Sequence, residues 1–192
     1  MSDRLQDIQG FLREIIVPRI ELGDTALDLT AGLGRDTLFL AQAVGPNGRV
    51  YAFDIQAIAL AETQRLLEEE GVAEWVTLHQ ADHARVQEFV SEPVKLAMFN
   101  LGYLPGSDHS VTTQAKSTLQ ALQDVLKLLV ENGILALTVY RGHPGGEEEA
   151  RAVHEFLTDL PPKSYSVLEG QYINQGDKSP YWILVQKKRG EI

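Results

Sequence analysis

Thr25-Ala26-Leu27-Asp28-Leu29-Thr30-Ala31-Gly32-Leu33-Gly34-Arg35-Asp36-Thr37-Leu38-Phe39-Leu40 opens as a short apolar run, breaks at two glycines, and resumes at helical spacing. The pattern reads as a strand over Thr25–Leu29, a tight turn, and a helix over Arg35–Val44. Gly32 and Gly34 let the backbone turn sharply and approach a ligand with no Cβ in the way. In an open sheet built from such units, ligands sit beyond the carboxyl ends of the strands, near the point where strand order reverses. The loop after the first strand is therefore the first candidate site.

The same rhythm continues outward from this stretch. Gly45-Pro46-Asn47-Gly48 is a turn, Arg49–Phe53 a second strand, and Gln56–Glu70 a helix ending at Gly71. Trp75–His79 reads as a third strand, His83–Val90 as a short helix and Val94–Phe99 as a fourth strand, followed by a loop holding Gly102, Pro105 and Gly106. Thr112–Val130 carries Leu119, Leu122, Leu126 and Leu129 on one helical stripe. Asn132-Gly133 then turns the chain into a fifth strand, Ile134–Tyr140, and Glu147–Leu160 is a helix closed by Pro161-Pro162. Ser164–Glu169 and Tyr181–Lys187 are strands with no helix between them, so one of them runs antiparallel at the end of the sheet. Upstream, Leu5, Ile8, Leu12, Ile15 and Ile16 give a helix over Asp3–Val17, stopped by Pro18. These elements predict an α/β fold, doubly wound on a mostly parallel seven-stranded sheet with an antiparallel terminal strand. A single domain over 1–192 is expected, with helix 1–20 packed on or beside the core.

Composition narrows the function classes. At 192 residues, 44% hydrophobic and 23% charged, the chain is ordinary globular material. No apolar run nears the roughly 18 residues of a membrane span, and the acidic start MSDRLQDIQGF lacks a signal peptide's pattern. The absence of cysteine removes disulfides, thiolate metal sites and cysteine nucleophiles, and suits a reducing cytoplasm. None of the five histidines stands at metal-ligand spacing, so no metal is expected. The formal charge of −10 gives no broad field for nucleic acid. A small substrate fits that charge easily, whereas a nucleic acid would need a local basic patch.

Acidic residues follow the first three strands in order. Asp28 can hold an ammonium group directly or through water. Asp54 stands 22 residues past Gly32, where a carboxylate accepts both ribose hydroxyls. Asp82, in His79-Gln80-Ala81-Asp82-His83, can bind an adenine amine. Each alone reads equally as a helix cap, and Asp36 and Thr37 at the start of the helix carry that capping alternative too. Thr37 occupies the place of the third glycine of G-x-G-x-x-G, which weakens a dinucleotide reading. Together the marks point to S-adenosylmethionine, held by Asp28, Thr30, Gly32, Gly34, Asp36, Thr37, Asp54, Gln56, Asp82, His83 and Asn100.

After the fourth strand, Phe99-Asn100-Leu101-Gly102-Tyr103-Leu104-Pro105-Gly106 resembles the Asn-Pro-Pro-Tyr signature of methyltransferases that act on exocyclic nitrogens. An attacking amine must aim its lone pair in line with the S–CH3 bond. The Asn100 side-chain oxygen and a nearby backbone carbonyl can accept its hydrogens and point it. Tyr103 can stack on a flat substrate, and Asp108 or His109 can take the departing proton. The alternative is that Asn100 caps a turn and Tyr103 is a half-buried aromatic.

Asp28–Ala41, Phe53–Gln56, Phe99–Gly106 and Tyr140–Gly146 together resemble the bacterial family long labelled rRNA methylases, whose characterised members are tRNA 5-aminomethyl-2-thiouridine methyltransferases. The similarity runs from about Thr25 to Lys187. It implies a Rossmann-like class I methyltransferase fold, S-adenosylmethionine as cofactor, and methylation of the 5-aminomethyl nitrogen of a wobble uridine. tRNA, met at its anticodon stem-loop, is then the partner. Independently of the resemblance, the amphipathic first helix can either pack on its own sheet or form the contact of a homodimer. Tyr103, Pro105, His109, Arg141, His143 and Asn174 are the expected substrate contacts, with Lys178 and Lys187-Lys188-Arg189 as local positive charge. The family usually has Gly-Gly-Asp-Lys where Gly106-Ser107-Asp108-His109 stands here, and asparagine near Leu33 and Arg35. An rRNA base methyltransferase, a small-molecule amine methyltransferase and a non-catalytic RNA-binding protein are the competing readings.

Overall fold

The structure is a computed structural model that describes residues 7–102, 112–176 and 178–190. Helix α1 (Ile8–Ile16) precedes β1 (Thr25–Asp28), α2 (Arg35–Val44), β2 (Arg49–Asp54), α3 (Ala57–Glu69) and β3 (Val76–Gln80). Then come α4 (Val86–Phe89), β4 (Val94–Leu101), α5 (Ala115–Leu128), β5 (Leu129–Val139), α6 (Gly146–Thr158), β6 (Tyr165–Gly170) and β7 (Tyr181–Lys187). The seven strands form one sheet in the order β3-β2-β1-β4-β5-β7-β6. β1 pairs in parallel with β2 and β4, so strand order reverses between β1 and β4. The strand that closes the chain, β7, is antiparallel to both neighbours and lies between β5 and β6 rather than at the rim.

Helices cover both faces, and the period of two along the strands decides which side chain meets which layer. On one face Leu12 and Ile16 of α1 and Leu40 and Val44 of α2 pack on Leu96, Met98, Ile134 and Ala136. On the other, Leu122 and Val125 of α5 and Val153 and Leu157 of α6 pack on Ala97, Phe99, Leu135 and Leu137. Continuing the alternation past Met98 and Ala136 places Asn100 and Thr138 on the α1/α2 face, at the carboxyl edge of the sheet. Helix α1 starts there as well. Asp7 caps it by accepting from Gly10 N at 3.0 Å, and Phe11 lies 6.3 Å, ring to ring, from Trp182 of β7.

One boundary differs in kind from the expectation. The long helix stops at Leu128 and β5 begins immediately, so Asn132-Gly133 lies inside the strand instead of ahead of it. Asn132 takes φ +59°, and the pairing with β4 shifts between Val94 and Leu96. This is a bulge. A Cβ on Gly133 would stand 2.9 Å from the Val130 carbonyl oxygen, which explains the glycine.

Candidate active site

The turn after β1 is built by its glycines. Gly32 and Gly34 adopt φ +54° and +80°, and Gly34 N donates to Ala31 O at 2.8 Å. A Cβ on Gly34 would lie 3.0 Å from the Thr63 backbone, against which the turn is pressed. Thr63 Oγ1 donates to Gly32 O at 3.1 Å, and Ala31 N donates to Phe53 O at 2.8 Å. The loop is thus held by α3 and β2 and roofs a cavity of about 1070 Å³ above the carboxyl ends of the strands.

Several expected residues meet at this cavity, with Thr30, Gly32, Asp36, Asp54, Gln56, Asp82, His83 and Asn100 all on its wall. Asp54 Oδ2 accepts from Gly32 N at 3.0 Å and Oδ1 from Gln56 N at 2.9 Å, which joins the first two strand-end loops. Burial raises its pKa, against the lowering effect of the Gln56, Gly32 and Ile55 amides. Asp82 Oδ1 accepts from Ala84 N at 2.8 Å and opens the single helical turn His83–Arg85. His83 is buried edge-on to Phe99, with ring centres 4.7 Å apart. Desolvation pushes its pKa down to about 4, with the nearby Asp82 opposing, so the imidazole is neutral at pH 7.

Asp28, Gly34 and Thr37 are not on the cavity wall. Asp28 is fully buried beneath the turn, with Oδ1 accepting from Thr30 N at 3.1 Å and Oδ2 from Thr37 Oγ1 at 2.6 Å. Burial, and after it the charges of Asp36 and Asp54, raise its pKa from 3.8 to about 7 against the two hydrogen bonds. The folded state therefore binds this proton more tightly than the unfolded state. Its stabilising effect is complete below about pH 4 and is lost as pH rises to about 7. Each tenfold change in proton affinity is worth about 1.4 kcal/mol, so the loss is on the order of a few kcal/mol. Asp28→Asn, which cannot ionise, is expected to flatten the melting temperature between pH 4 and 8 relative to wild type. Parallel melting curves over that range would refute the assignment of this proton to Asp28.

Asp36 lines the cavity and does not take the alternative role of a cap. Gly34 fills the N-cap position of α2 and makes no side-chain cap bond. Asp36 Oδ1 accepts from Arg13 Nη2 at 2.5 Å and from Nε at 3.0 Å, and its Oδ2 accepts from Asn100 Nδ2 at 2.7 Å. Asn100 N in turn donates to Thr30 Oγ1 at 2.8 Å. The Asn100 oxygen meets Gln9 of α1, which also lines the cavity. Gln9 and Arg13 were not anticipated. The available signal was a glutamine one turn before Leu12, on the otherwise apolar stripe of the first helix.

Tyr103, Pro105, Asp108 and His109 lie outside the described residues. The base of their loop is clamped. Gly102 N donates to Thr113 Oγ1 at 2.9 Å, and Thr113 Oγ1 donates to the buried Glu149 carboxylate at 2.6 Å. Arg141 stacks over Tyr181 at 5.0 Å and donates to Ser179 O at 3.3 Å. His143 is buried at the approach to α6, and Asn174 is exposed. None of these three lines the cavity, although their neighbours Gly142 and Lys178 do. Exposed Arg35, Lys116 and Lys178 line the cavity, beside the acidic Asp7, Asp36, Asp54 and Asp82.

Comparison with known proteins decides the family. Residues 50–186 match the family model described as "Putative rRNA methylase". The chain belongs to this family. A crystal structure described as a "putative rRNA-methylase" from Clostridium thermocellum superposes with a TM-score of 0.91 at 39% identity, covering 97% of this chain and 98% of that one. A Streptococcus mutans protein described as "a putative methyltransferase", in complex with SAH, superposes with a TM-score of 0.85 at 32% identity, covering 97% and 99%. Over 166 residues the chain is 39% identical to the chloroplastic tRNA (mnm(5)s(2)U34)-methyltransferase of Arabidopsis thaliana. That alignment takes in 81% of this chain and 61% of the plant protein, so the chain spans well under the relative's full length. The fold is therefore that of the S-adenosylmethionine-dependent methyltransferases.

Proposed function

We propose that this protein transfers the methyl group of S-adenosylmethionine to the exocyclic amine of 5-aminomethyl-(2-thio)uridine at the wobble position of tRNA. The observation that carries the reading is the placement of Asn100. It is the penultimate residue of β4, tied to the glycine turn through Thr30, and Asp36 fixes its carboxamide so that the nitrogen faces the carboxylate and the oxygen faces away. The name of the Arabidopsis relative supports the substrate, and the exposed Arg35, Lys116 and Lys178 of the cavity wall are available to phosphate.

The cavity fits the cofactor. Thr30 and Gly32 on the cavity wall leave a place for the methionine end, Asp54 offers acceptors for the ribose hydroxyls, and Asp82 offers one for the adenine amine. Asp28 acts from below, holding Thr30 and Thr37 in place. The bound cofactor supplies an electrophilic methyl on sulfur. The chain's own contribution is alignment: Asn100 Oδ1 takes a hydrogen of the neutral amine and turns its lone pair toward that methyl. The nitrogen–carbon bond forms as the sulfur–carbon bond breaks, and the amine gives up one proton. In this reading Tyr103 stacks on the base and Asp108 or His109 receives the proton, while Arg141, His143 and Asn174, which do not line the cavity, take no part in the transfer.

Among the described residues no helix is long and apolar enough to cross a membrane. A chain without cysteine suits a reducing compartment such as the cytoplasm. A homodimer belongs to the same reading, since it widens the RNA-facing surface of an acidic monomer; sedimentation of the purified protein tests it. The reaction itself is tested with tRNA bearing 5-aminomethyl-2-thiouridine, followed by mass spectrometry of its nucleosides. Gain of one methyl on that nucleoside is expected. Unmethylated tRNA alongside turnover of a free alkylamine would favour the small-molecule reading, which the charge of −10 suits.

A further inference from the structure

A continuous polar chain crosses from α1 to the strand ends. Arg13 pairs with Asp36 Oδ1 at 2.5 Å, and Asp36 Oδ2 accepts from Asn100 Nδ2 at 2.7 Å. A carboxylate only accepts, so it dictates which end of the Asn100 amide faces it. The Asn100 oxygen must then point to the other side, where Gln9 Nε2 donates to it at 2.5 Å. That nitrogen is also 2.9 Å from Thr138 Oγ1 and 3.2 Å from Tyr140 OH. The Gln9 amide is thereby oriented in turn, nitrogen inward to three oxygens. Its own Oε1 is left buried with no hydrogen-bond partner among the described residues. An orphaned buried carbonyl is costly to keep and has no packing return. A leucine at this place would have extended the stripe of Leu12 and Ile16 at no such cost.

We propose that Gln9 is a positioning residue for methyl transfer, acting through Asn100. Its donation occupies one lone pair of Asn100 Oδ1 and fixes the carboxamide plane. The second lone pair is then held in one direction, available to a hydrogen of the incoming amine. Arg13 and Asp36 set the polarity of this chain from the opposite end. The first helix is thus part of the acceptor site and not merely a cover for the sheet. The inference rests on the amine-methylating role of Asn100 given above.

The test compares Gln9→Leu with Gln9→Glu, each in wild-type and Asn100→Ala backgrounds. Single-turnover methylation of tRNA bearing 5-aminomethyl-2-thiouridine is measured beside calorimetric binding of S-adenosylmethionine and thermal melting. Gln9→Glu keeps the shape of the side chain and removes the donor. Both substitutions are expected to lower the single-turnover rate by about tenfold, with cofactor affinity unchanged. In the Asn100→Ala background neither should cost anything further, because the group through which Gln9 acts is gone. A rate for Gln9→Glu within twofold of wild type overturns the proposal. So does an equal loss from Gln9→Leu in both backgrounds, or unfolding of both variants, which would assign Gln9 to the fold alone. Full activity of Asn100→Ala by itself would instead remove the role of Asn100.

Discussion

Asp54→Ala is expected to weaken binding of S-adenosylmethionine by about a hundredfold or more, read by calorimetry, while the sheet stays folded. Two losses combine. The first is direct: the carboxylate offers two acceptor oxygens on the cavity wall, and hydrogen bonds to a charged group are worth about 1.5–3 kcal/mol each. The second is structural, because Asp54 holds Gly32 N and Gln56 N and so ties the glycine turn to the end of β2. Alanine leaves both amides without their acceptor and loosens the turn that must meet the cofactor. Asp54→Asn separates the two, since its carboxamide oxygen can still accept from one amide; a smaller loss is expected. Binding within threefold of wild type in Asp54→Ala would refute the ribose assignment.

Asn100→Ala is expected to lower the methylation rate by about a hundred- to a thousandfold, the scale on which removal of an aligned polar group acts. Cofactor affinity should change little, because the backbone contact from Asn100 N to Thr30 Oγ1 survives the substitution. The variant should also melt earlier. Asp36 Oδ2 loses a donor and Gln9 Nε2 loses an acceptor, each at about 1–3 kcal/mol where the group is left unsatisfied. Rates are therefore to be read on the folded fraction. Asn100→Asp should fold worse than alanine, since it sets a second carboxylate against Asp36. Normal turnover of tRNA by Asn100→Ala would end the argument for an aligned amine.

The βα order was legible because hydrophobic period and turn residues are local signals. Asp54 and Asp82 were legible because strand ends in a doubly wound sheet face one rim. The bulge at Asn132-Gly133 was not, since the same dipeptide commonly makes a turn between elements, and only the pairing with β4 selects the other outcome. The depth of Asp28 was hidden too. A strand-end aspartate can face the ligand or stand beneath the loop, and here Thr30 and Thr37 take both of its oxygens. Gln9 was invisible for a simpler reason, as its partners Asn100 and Thr138 lie 91 and 129 residues away. No window of local pattern spans that distance.

The insertion of β7 between β5 and β6 carries a consequence for synthesis on the ribosome. A nascent chain can assemble β1 to β5 as soon as those segments emerge, but the open edge of β5 finds its native partner only after Tyr181–Lys187 has left the exit tunnel. Until then that edge presents unpaired backbone groups, the kind of surface on which growing chains aggregate. The ring of Trp182, which fills the space where Gly170 has no side chain, also supports Phe11 of the first helix. Helix α1 therefore gains part of its packing only once β7 is in place.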